Sequence, residues 1–92
     1  MELTEIELKS LEEYASLVFT PSEIAIILEI NEAELLQELK KTESKIYKSF
    51  YKGFLITQTQ IRKTQLSFAL KGNQTCLDRM ENLITKINKI LP

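Results

Sequence analysis

The sequence predicts an all-α fold: a helix-turn-helix at residues 20–39, then a long helix, then an amphipathic C-terminal helix. Three observations predict it. Apolar residues recur every three or four positions along most of the 92 residues, Thr20-Pro21-Ser22-Glu23 forms a helix start, and only two glycines and two prolines interrupt the chain. The length suits a single domain, 1–92, with a modest core, and 43% hydrophobic with 27% charged residues suits a folded globule.

In the first helix Leu3, Ile6, Leu11, Tyr14 and Val18 mark an apolar stripe, with Leu8, Ala15 and Leu17 beside it. It ends near Phe19, because Thr20 can cap a new helix, Pro21 fits the first helical position and Glu23 completes a capping box. The second helix runs to about residue 29. Asn31 tolerates the left-handed or turn geometry that redirects the chain into a third helix over about 32–41. Ile24, Leu28, Ile30, Leu35, Leu36 and Leu39 are the inward residues that lock the two short helices together, and the small Ala25 lets them approach.

A fourth helix spans about 43 to 70 or 71, although Gly53 weakens it by about 1 kcal/mol relative to alanine and marks a potential break. Ile46, Phe50, Phe54, Thr57, Ile61, Thr64 and Phe68 share its core face. Farther along, Leu55, Leu66 and Leu70 make a second apolar side around Thr59. A helix apolar on two sides needs two things to pack against, so residues 54–91 are read as an oligomerisation region with Leu55, Leu66 and Leu70 at a homo-oligomer interface. Gly72-Asn73 ends this helix. Leu77, Met80, Ile84, Ile87 and Leu91, with Leu83 and Ile90, outline the last one.

Charge is divided unevenly. Residues 1–39 hold ten acids against Lys9 alone, and residues 40–92 hold eleven bases against Glu43, Asp78 and Glu81. Such a division points either to an anionic partner for the basic part or to pairing of the two parts within or between chains. The acidic first helix is either a solvated face or a surface that meets the basic segment of a neighbouring subunit. The longest apolar run, Ile24 to Leu28, is too short to span a membrane and the N-terminus is acidic, so a cytoplasmic protein is expected.

No histidine and a single cysteine, Cys76, leave no zinc cluster and no internal disulfide, and no cofactor is expected. Without a phosphate loop or a recognisable acid pair, no enzymatic activity is expected either. Cys76 is read as structural.

Phe19-Thr20-Pro21-Ser22-Glu23-Ile24-Ala25-Ile26-Ile27-Leu28-Glu29-Ile30 has the order of a helix-turn-helix: cap, acid, small residue, then apolar anchors around the turn. Tyr47-Lys48, Lys52-Gly53, Ile61-Arg62-Lys63 and Ala69-Leu70-Lys71-Gly72 follow in an order that resembles phage terminase small-subunit-like proteins over roughly residues 14–84. The resemblance implies a homeodomain-like fold, oligomers or rings, recognition of viral DNA, and regulation of a separate packaging ATPase subunit.

Where the motif usually has a glycine in the turn this chain has Glu29, and the recognition helix would carry Glu32, Glu34 and Glu38, with Gln37 as a neutral base reader before Lys40. Carboxylates repel phosphates, so affinity must come from elsewhere. On a continuous helix Lys41, Lys45, Lys48 and Lys52 form one row, from which a turn near Thr42 would remove Lys41, and the row is read either as a solvated face or as a surface that tracks phosphates. The expected DNA-binding residues are therefore Gln37, Lys40, Lys41, Lys45, Lys48 and Lys52. Tyr47 and Tyr51 are read as packing at the core edge.

Overall fold

The computed structural model describes residues 1–92 and contains five helices and no strand: α1 (Glu5–Ser16), α2 (Pro21–Leu28), α3 (Glu32–Glu38), α4 (Lys45–Leu70) and α5 (Gln74–Ile90). They divide into two compact units, Met1–Gln58 and Thr59–Pro92.

In the first unit each helix start is held by a local cap. The Glu7 N–H donates to Thr4 Oγ1 at 3.1 Å while the Thr4 N–H donates to Glu7 Oε1 at 2.9 Å, so α1 opens with a capping box of its own. Thr20 and Glu23 repeat this reciprocal pair at α2 with Pro21 in the first turn, and Asn31 Oδ1 accepts from the Glu34 N–H at 2.9 Å to start α3.

The ends of these helices differ from the expectation. Asn31 is extended, at φ −72°, and the left-handed residue is Glu29, at φ 55°. The reason is the closure of α2, where the Ile30 N–H reaches back to the Ala25 carbonyl and the Glu29 N–H to that of Ile26. That pattern puts the left-handed residue at Glu29 and leaves Asn31 free to cap. α1 closes with the same pair of bonds, Phe19 N–H to the Tyr14 carbonyl and Val18 N–H to that of Ala15, around Val18 at φ 66°, two positions past Ser16. α3 stops at Glu38, short of 41, because Glu38 fastens a turn: it accepts from Ser44 Oγ at 2.9 Å, and Ser44 Oγ accepts from the Ile46 N–H at 3.1 Å.

Leu8, Leu11, Ala15, Ile24, Ala25, Leu35, Ile46 and Phe50 form the core of this unit, with Leu11, Ile24 and Leu35 fully enclosed. Burying each of those three contributes about 1.5–3 kcal/mol. Around the core lie Leu3, Tyr14, Phe19, Leu28, Ile30, Leu39 and Phe54, and the Tyr14 and Phe19 rings meet edge to face at 5.8 Å. Ile6, Leu17, Val18 and Leu36, expected inside, are exposed. Ile6 stands about 200° around α1 from Leu8, and Leu36 is turned about 100° from the buried Leu35, so neither can share its neighbour's burial.

Gly53 does not break α4. It is buried, and a Cβ there would lie 2.0 Å from the Glu12 carbonyl oxygen. The glycine lets the α1 main chain press directly on α4, and one turn farther on the Thr57 hydroxyl donates to the Ser16 carbonyl.

The second unit is a helical hairpin of the distal part of α4 and α5. Gly72, at φ 96°, closes α4, with the Asn73 N–H donating to the Phe68 carbonyl at 3.0 Å, and Asn73 Oδ1 then accepts from the Cys76 N–H at 2.9 Å. Ala69 is its one buried apolar residue; Cys76, Leu77, Met80 and Leu83 are half-buried. The core face expected along all of α4 therefore ends at Thr57, and Ile61, Thr64 and Phe68 are exposed. In this unit the covered side of α4 carries Gln65, half-buried, and Ala69, buried, instead.

Candidate functional site

Lys45, Lys48 and Lys52 are exposed along one side of α4, with spacings of three and four that keep them in one row. Lys41 is outside this row because α4 begins at Lys45; it sits in the preceding turn with Lys40, its Nζ 3.5 Å from Glu38 Oε1. The row has three members rather than four.

The three lysines border a hollow of about 320 Å³ between α1 and α4, whose other lining residues are Glu5, Leu8, Lys9, Glu12 and Ser49. Lys52 Nζ lies 3.3 Å from Glu12 Oε1 across it. Lys9 was not among the expected residues. Spacing within one helix identifies a row on α4, but that Lys9 on α1 joins the row depends on how the two helices pack.

Gln37 lies elsewhere, on the exposed side of α3, in a separate hollow with Ala33, Glu34 and Lys41. Lys40 and Lys41 edge another with Glu38 and Ser44. The expected residues are thus distributed over three places. Two of the three α3 carboxylates are engaged locally: Glu32 accepts from the Ser22 hydroxyl, and Glu38 accepts from Ser44 and Lys41. The Ser44 hydrogen bond, helped by the Lys41 charge and opposed by desolvation, holds the Glu38 carboxyl below its ordinary pKa. Glu34 is exposed on that helix.

Tyr47 and Tyr51 pack on each other with ring centroids 4.4 Å apart, and Tyr51 meets Phe50 edge to face at 5.2 Å. Leu55, in the first unit, is 50% exposed, and Leu66 and Leu70, in the second, are 45% and 79% exposed. On α5, Ile84, Ile87 and Ile90 are also exposed. No helix is long and apolar enough to cross a membrane. No protein family, curated protein or solved structure matches this chain.

Proposed function

We propose that this chain is a non-catalytic DNA-binding protein with a homeodomain-like helix-turn-helix, resembling a phage terminase small subunit and acting as a homo-oligomer. The observation that carries the proposal is the exposed lysine row Lys45, Lys48 and Lys52, set on the helix that follows the capped α2–α3 pair. Ammonium groups in a row suit phosphates, which dominate the affinity of proteins for duplex DNA. The Lys41 charge beside Glu38 offsets part of the repulsion that α3 would otherwise present. Gln37 and Lys40 are then the residues that approach bases, and a larger packaging ATPase is the protein partner suggested by the resemblance.

The test is a titration of duplex DNA at low and moderate salt. Salt-sensitive binding that weakens when Lys45 and Lys48 are both changed to glutamate, with a shallower salt slope, supports the proposal. Undetectable binding at low salt overturns it.

A second reading, an assembly module that keeps the helix-turn-helix shape without binding DNA, is favoured by the exposed Leu66, Leu70, Ile84, Ile87 and Ile90 in the second unit. In that case Leu66→Glu yields monomers from an oligomer while duplex DNA has no effect on either protein.

A further inference from the structure

We infer that the phosphate-holding surface extends onto α1 through Lys9, with Ser49 beside it, and that Glu12 restrains this surface by holding Lys52. This rests on the DNA-binding proposal and specifies the site and its ligand chemistry.

Residues 1–39 contain ten acids and one base, and that one base lines the same hollow as Lys45, Lys48 and Lys52. Four lysines and a serine from two helices therefore line one recess, together with Glu5 and Glu12. Lys9, Lys45 and Lys48 take part in none of the ion pairs of the chain, whereas Lys52 is 3.3 Å from Glu12. The Glu12–Lys52 pair is held in register by the backbone, because Gly53 brings the Glu12 main chain against α4 one residue beyond Lys52.

The donor set selects the ligand. Lysine is a compact point charge with freely turning donors, and a recess lined by several of them suits backbone phosphates of duplex DNA without regard to sequence. An anion arriving there must compete with Glu12 for Lys52, and Glu12 also repels it directly. Removing the Glu12 charge then strengthens binding, the opposite of what loss of an ordinary contact does.

The experiment titrates one duplex DNA into the wild type, Lys9→Gln, Glu12→Gln and Lys86→Gln over a range of salt, with thermal melts confirming that each variant is folded. Lys86 is an exposed lysine on α5, outside the recess, and its variant carries the same charge change as Lys9→Gln. The expected result is about a threefold to tenfold loss for Lys9→Gln, with the slope of log K against log salt falling by about 0.9, a few-fold gain for Glu12→Gln, and a slope unchanged for Lys86→Gln. Equal effects of Lys9→Gln and Lys86→Gln would mean that net charge alone acts and would overturn the inference, as would salt-sensitive wild-type binding that Lys9→Gln and Glu12→Gln leave unaltered. In both of those outcomes the DNA-binding proposal stands. Absence of wild-type binding overturns both.

Discussion

The two units are built from similar helical sequence and both leave large apolar side chains exposed, among them Ile6 and Ile26 in the first and Leu70 and Ile90 in the second, yet only the first closes a core. Eight buried apolar side chains lie in the first unit, and the second has only Ala69. The difference comes from the number of covering elements rather than from composition. Within the first unit α1, α2, α3 and the start of α4 surround Leu11, Ile24 and Leu35; in the hairpin Phe68, Ile84, Ile87 and Ile90 keep about half or more of their surface in water. A small helical unit with four elements can close a core on itself, and a hairpin needs further surface from outside.

This contrast is broken most directly by cavity-forming substitutions. Leu11→Ala should cost about 2–5 kcal/mol of stability, and Ile84→Ala under about 1 kcal/mol in the dispersed chain, measured by denaturant unfolding. Equal losses would mean that the hairpin is buried as fully as the first unit. Gly53→Ala, which by helix propensity alone would gain about 1 kcal/mol, should instead lose about 1–3 kcal/mol because its Cβ meets the Glu12 carbonyl. A stabilised Gly53→Ala would show that α1 does not cross α4 there.

A smaller effect is expected at Val18, a β-branched residue at φ 66°. Val18→Gly relieves a conformation that costs about 1–3 kcal/mol but adds freedom to the unfolded chain, for a net gain of about 1 kcal/mol in a thermal melt. The smallest effect concerns pH. Because Glu38 has a lowered pKa in the folded chain, the stability from its contacts with Ser44 and Lys41 is present above the ordinary glutamate value of 4.5 and is lost as pH falls through the lowered one. Glu38→Gln should flatten the acid limb of a stability-against-pH curve, and an unchanged limb would remove Glu38 from the turn.

Local chemistry was legible in the sequence where a few adjacent residues settle the geometry. Thr20-Pro21-Ser22-Glu23 starts α2, Gly72-Asn73 ends α4, and the α4 lysine spacing places Lys45, Lys48 and Lys52 in one row. What was not legible depends on which helix lies beside which. Gly53 reads as a weakness until α1 is known to press on it, and Lys9 reads as an isolated base in an acidic stretch until the recess is seen. The apolar period of α4 continues unchanged through Ile61 and Phe68 although neither is buried, because periodicity records which residues share a face and not what lies opposite. Lys41 left the row because the Glu38–Ser44 contact delays the start of α4, a bond between residues six apart that no helical template contains.

The proposed function joins a DNA surface in the first unit to self-association through the second, and one measurement reads both: light scattering of the protein with and without duplex DNA at low and moderate salt. The account predicts an oligomer in the absence of DNA and a larger complex with DNA at low salt that dissociates as salt is raised. A chain that stays monomeric at high concentration and ignores duplex DNA at low salt would contradict it.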